Sequence, residues 1–100
     1  MHVISRKPFV DAIKKFPNDG AAIEATYNVL KRGEFSTPEE LKAVFKSLDN
    51  FKYKEKWWVI DIGGNNLRLL AFIEFRHHRM FVKHIVSHAE YNAICKKYRN

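Results

Sequence analysis

Among its 100 residues the chain has a single cysteine, Cys95. This excludes an internal disulfide and a Cys-rich zinc site, and it suits a reducing compartment. No run approaches the ~18 apolar residues of a membrane span, and the first residues lack the apolar core of a signal peptide. A cytoplasmic protein without membrane contact is the expectation. Four glycines and three prolines are too few for a flexible linker, and no repeat or low-complexity tract is present, so residues 1–100 should form one domain around one core. Acidic residues are also scarce, 11 against 18 Lys plus Arg, for a net charge of +7. Five histidines invite a metal reading, but none stands in HExxH or Cys/His ligand spacing, and the adjacent His77 and His78 would point opposite ways on a strand. No metal or cofactor is expected. Gly63-Gly64 lacks the spacing of a nucleotide-binding loop and leads into a strand, so it is a hairpin turn.

The positive charge is unevenly placed. Residues 1–50 hold 8 basic and 7 acidic side chains, and residues 51–100 hold 10 and 4, so the excess is +1 in one half and +6 in the other. Such a field favours nucleic acid or another anionic partner. Hydropathy in the first half is helical after a short β-prone stretch, His2-Val3-Ile4. A helix is expected over about 6–16 with Ser5 as its cap, and a second over about 20–32, with Gly33 where a left-handed C-cap is wanted. Thr37, Pro38 and Glu40 form a capping box for a third, about 38–46. Residues 47–50 read as a loop, and Lys52, Lys54 and Lys56 alternate with other residues in a basic approach segment.

From Trp57 the period changes to two. Residues 57–62, 67–75 and 80–86 read as strands, joined by Gly63-Gly64-Asn65-Asn66 and by Arg76-His77-His78-Arg79. Ser87 with Glu90 forms a second capping box opening a final helix. The order β, α, α, α, β, β, β, α predicts an α+β fold, a small and mostly antiparallel sheet with helices on one face.

In the middle strand, Leu67, Leu69, Ala71, Ile73 and Phe75 share one parity, which puts Arg68 on the more open face, with Lys83 near it if the register allows. His88 and Tyr91, three apart at the start of the last helix, lie on one helical side beside free backbone N–H groups that attract anions. A metal-free RNA phosphodiesterase needs these types of residue: a group to take the 2′-hydroxyl proton, cations for the charged phosphorane, and an acid for the leaving 5′-oxygen. Histidine exchanges protons near neutrality, while tyrosine can donate a hydrogen bond or stack on a base. The same residues also fit blander roles, His88 as an exposed first-turn residue and Tyr91 as a core aromatic.

Taken in order, Leu41-Lys42-Ala43-Val44-Phe45, Ser47 through Tyr53, Ile62-Gly63-Gly64-Asn65 with Arg68, and His88 with Glu90-Tyr91 resemble the HigB-type toxins of the RelE-like mRNA interferase superfamily. The resemblance spans nearly the whole chain. It implies a RelE-like α+β endoribonuclease that cleaves mRNA in the ribosome's decoding site without metal. It also implies a HigA-type helix-turn-helix antitoxin as partner, through which alone promoter DNA would be bound. Arg68, His88 and Tyr91 would then lie in a catalytic cleft with Lys83 in a position where relatives commonly have arginine, and Lys52, Lys54 and Arg76 would contact mRNA or ribosomal RNA. Three departures stand out: Asn66 where many relatives carry lysine, Asp61 where many have asparagine, and Ser87 where threonine is usual. The first two lower the positive charge beside the hairpin. Two rival readings are a basic module that binds RNA or the ribosome without cutting, and a structural partner whose basic face receives an acidic antitoxin segment.

Overall fold

A computed structural model describes residues 1–99. Five strands form one sheet: β1 (His2–Ile4), β2 (Asp49–Asn50), β3 (Trp57–Ile62), β4 (Leu67–Glu74) and β5 (Arg79–Ser87), in the spatial order β1-β5-β4-β3-β2. Strands β2 to β5 pair antiparallel, and β1 joins β5 in parallel with His2 opposite Arg79. Four helices accompany them: α1 (Lys7–Lys15), α2 (Gly20–Arg32), α3 (Pro38–Val44) and α4 (His88–Arg99). The α+β class and the mostly antiparallel sheet agree with the sequence reading. No described helix is long and apolar enough to cross a membrane.

Strand alternation separates the two sides of the sheet. Ile60, Ile62, Leu67, Leu69, Ala71, Ile73 and Met80 point to one side, where Phe9 and Ala12 of α1 and Ile23, Tyr27 and Leu30 of α2 close over them. Each large aliphatic side chain buried in this way contributes about 1.5–3 kcal/mol. On the opposite side Val59 and Leu70 meet Phe51, with Tyr91, Ile94, Cys95 and Tyr98 of α4 packed around them. The helices therefore do not share one face: α1 and α2 cover one side, and α4 lies on the other. Leu70 provides part of the reason, since it puts a buried aliphatic on the parity of β4 that also carries Arg68 and Glu74.

Local chemistry explains the boundaries. The capping box at α3 is present, with Glu40 N–H donating to Thr37 Oγ1 at 3.2 Å and Thr37 N–H donating to Glu40 Oε1 at 3.1 Å. At α4 Ser87 and Glu90 make the same exchange, 3.0 and 3.3 Å. Ser5 accepts from Lys7 N–H at 3.2 Å, while the cap position itself falls on Arg6. Gly33 is not left-handed; its backbone is extended, with φ −78° and ψ 153°. Glycine is needed there because a Cβ would sit 2.4 Å from the ring of buried Phe35. The expected loop at 47–50 contains β2, whose Asp49 and Asn50 pair with Val59 and Trp58.

Candidate active site

The β3–β4 hairpin turns through Gly63 and Gly64, both at positive φ, 65° and 71°. A side chain at Gly63 would also collide with Asp19 Oδ1, 2.7 Å from the position of its Cβ. The same carboxylate accepts from Asn66 Nδ2 at 3.1 Å, so the hairpin is anchored to the turn that precedes α2. Asn66, one of the departures from the resembled pattern, has its amide spent on this anchor.

One rung in from the hairpin end, Asp61 of β3 stands directly opposite Arg68 of β4. The Arg68 guanidinium donates from Nη1 to Asp61 Oδ1, and about a fifth of each side chain is exposed. Its central carbon also lies 5.7 Å from the centre of the Tyr91 ring, a cation–π distance. Arg68 is thus held from the strand side by a carboxylate and from the helix side by an aromatic face. Around it Ser47, Asp49, Asn50, Val59, Asp61 and Tyr91 line a cleft of about 260 Å³. Asp61 N–H donates to Ser47 Oγ at 2.9 Å, fixing the wall formed by the chain before β2.

Tyr91 sits where α4 crosses the sheet. Burial first, and next the hydrogen bond with the Cys95 thiol, push its phenol up to about 12, so it is protonated throughout the neutral range and acts as a donor. His88 lies one turn earlier on α4 but is not among the residues that line the cleft; its Nε2 is 3.1 Å from Asn65 Oδ1 in the hairpin turn. Glu90 ties the first turn of α4 back to α1 through Lys15, 2.5 Å away, and this bond, with the backbone of Ser87, holds its carboxyl below the usual range.

The other candidates are not all near this centre. Arg68 lies opposite Val86 on β5, not Lys83. Lys83 occupies the bulge where Leu70 pairs with His84 and Ala71 with Val82, is exposed, and places its ammonium 5.9 Å from the Phe81 ring. Two residues of β5 face one of β4 here, so the register slips before reaching Arg68. Lys52 and Lys54 lie in the 51–56 turn, Lys52 over Tyr53 at 5.2 Å and Lys54 over Tyr98 at 5.3 Å. They flank the α4 cluster rather than line the cleft. Arg76 is in the β4–β5 turn with His77 and His78, at the end of β4 away from the hairpin. Among the described residues, no three His, Cys, Asp or Glu side chains are grouped so as to hold a metal ion.

Sequence reasoning missed Asp49, Asn50 and Ser47 as wall residues, and it missed Phe51 as the hub of the aromatic cluster beneath α4. Phe51 is 3% exposed and meets Tyr53, Trp57, Tyr91 and Tyr98 at ring-centre distances of 5.5 to 6.3 Å. It stands at the head of a lysine-rich segment, where composition points to solvent; only the pairing of β2 with β3 turns it inward.

A family model described as the HigB toxin, the RelE-like toxic component of a toxin-antitoxin system, matches residues 19–94. The chain is 52% identical over 99 residues to the mRNA interferase HigB of Escherichia coli O6:H1, covering 99% of this chain and 96% of that one. It is 41% identical over 92 residues to the mRNA interferase toxin HigB of Escherichia coli K12 and to the mRNA interferase HigB of Shigella flexneri, covering 92% of this chain and 88% of each relative.

Proposed function

Because the chain belongs to the HigB toxin family of RelE-like toxic components, we propose that it is an mRNA endoribonuclease that cuts ribosome-bound message without a metal ion. The cleft at Arg68 is the observation that carries this reading. It is narrow, it is walled by hydrogen-bonding groups, and it contains a guanidinium whose planar fork matches a phosphodiester. In the reaction the 2′-hydroxyl loses its proton and attacks the adjacent phosphorus. Charge builds on the phosphorane oxygens beside Arg68, and the bond to the 5′-oxygen breaks as that oxygen gains a proton. The products are a 2′,3′-cyclic phosphate and a 5′-hydroxyl. His88 transfers protons at the hairpin end, and Tyr91, a donor at neutral pH, hydrogen-bonds the phosphate or the leaving oxygen or stacks on a base. Lys83, Lys52, Lys54 and Arg76 lie along the message and ribosomal RNA as backbone contacts, where they supply affinity without sequence preference. A HigA-type helix-turn-helix antitoxin holds the toxin inactive and carries the pair to promoter DNA.

The test uses a defined mRNA, free or threaded on ribosomes with an empty decoding site, incubated with the purified chain and EDTA, with new 5′ ends mapped. Cuts confined to the ribosome and unaffected by EDTA are expected. A second reading, a basic module that binds RNA or the ribosome without cutting, is favoured by one observation: Lys52, Lys54, Arg76 and Lys83 all lie outside the lining of the cleft. Tight binding to intact mRNA would move that reading to first place.

A further inference from the structure

A cleft meant for a phosphodiester should be electropositive, yet the only cation among its lining residues faces a carboxylate of its own chain. The contact is set by the sheet. Asp61 and Arg68 are directly opposed across the β3–β4 ladder, where oppositely charged residues attract. The backbone of Asp61 is pinned to Ser47, and Tyr91 closes the other side of the guanidinium. The outer Nη1 donor of Arg68, at the end of the fork that would grip a phosphate, is thereby occupied. Asp49 adds a second negative charge to the same wall.

We propose that Asp61 is an affinity-limiting residue: a built-in counter-ion that a substrate phosphate must displace from Arg68, so that the free chain binds RNA more weakly than its basic second half would allow. This rests on the reading of the cleft given above. Asn at this position would keep the size and a hydrogen-bond acceptor while removing the competing charge.

The experiment measures binding of a short single-stranded RNA whose 2′-hydroxyls are methylated, which cannot be cut, across a salt series. It compares the native chain, Asp61→Asn, Arg68→Ala and the double variant, with Glu34→Gln as a charge-matched control; Glu34 is exposed between α2 and α3. Asp61→Asn should tighten binding about tenfold, as expected when one charged hydrogen bond is freed for the ligand. The slope of log affinity against log salt should steepen by about 0.7, the value for one more phosphate contact on a single strand. In the Arg68→Ala background the gain should vanish, and Glu34→Gln should leave binding within about twofold, its charge being screened beyond about 8 Å at physiological salt. Binding that is unchanged or weaker in a folded Asp61→Asn variant would overturn the proposal, as would a gain that survives without Arg68. Should Asp61→Asn fail to melt cooperatively, Asp61→Ser is read in its place under the same criteria. Because the probe is uncleavable, failure of the native chain to cut mRNA would defeat the nuclease reading and leave this comparison decisive on its own terms.

Discussion

The two sides of the sheet are built from the same strands and do opposite things. The side under α1 and α2 is dry: Ile60, Leu69 and Met80 have no exposed surface. On the side under α4, only Phe51, Val59 and Leu70 are buried in the cluster, and half-buried aromatics and paired charges fill the remainder. Because side chains alternate, Leu69 and Arg68 are neighbours in sequence yet sit on different sides. The dry core and the charged cleft are thus separated by one residue step, and substitutions in adjacent positions should have effects of different kinds.

The largest effect is expected on the dry side. Leu69→Ala should cost about 2–5 kcal/mol of stability by emptying a packed site, read by denaturant unfolding. A loss below about 1 kcal/mol would show that the two sides are less different than their burial implies. Arg68→Ala, one residue away, should lower mRNA cleavage on ribosomes by about 10²–10³-fold, the scale of removing one donor to developing charge, while stability falls by only about 1–2 kcal/mol from the lost pair with Asp61. Equal loss of fold would defeat the separation. Phe51→Leu sharpens the comparison, since Phe51 supports Tyr91 from below. A volume-similar swap should cost under about 1.5 kcal/mol yet slow cleavage by more than that stability loss explains, because Tyr91 loses its support.

The smallest effect is the response to acid. Burial first, then Lys97 and Lys83, lowers the pKa of His84 from its ordinary value of 6.5. The unfolded chain therefore takes up a proton at a pH where the folded chain does not, and stability falls as pH drops below about 6.5 and is fully present above it. Glu90, held down by Lys15, adds a second loss in the same direction below its ordinary 4.5. The melting temperature should be highest near neutrality and drop modestly toward pH 5, with His84→Gln flattening the upper part of that change. A rise on acidification would contradict both shifts.

Much of the fold was legible because helix caps and strand parity are local signals. Thr37 with Glu40 and Ser87 with Glu90 announce their helices from side-chain chemistry alone, and the alternation through Leu67 to Ile73 picks out the core side before any partner is known. What was not legible depends on register. Composition does not set register, so the sequence allows Lys83 beside Arg68 only conditionally, whereas the observed ladder assigns that rung to Val86, with a one-residue slip between Leu70 and Ala71. Gly33 suggested a backbone requirement, but its reason is the ring of Phe35, two residues on and folded back. Of the site, Arg68 and Tyr91 were found as a pair without the contact between them. Asp61 was noticed only as a departure, and its meaning is set by the residue across the ladder.

The parallel pairing of β1 with β5 bears on the order in which the molecule folds. His2 finds its partner at Arg79, so β1 has no place to pair until β5 has formed. Loop closure over such a span costs little extra free energy, growing only with the logarithm of length, but long-range pairing delays folding. The cleft needs α4 as well, and without it Arg68 loses the Tyr91 face. The Arg68 cleft is accordingly a late product of folding, since it is closed only when α4 docks on the sheet.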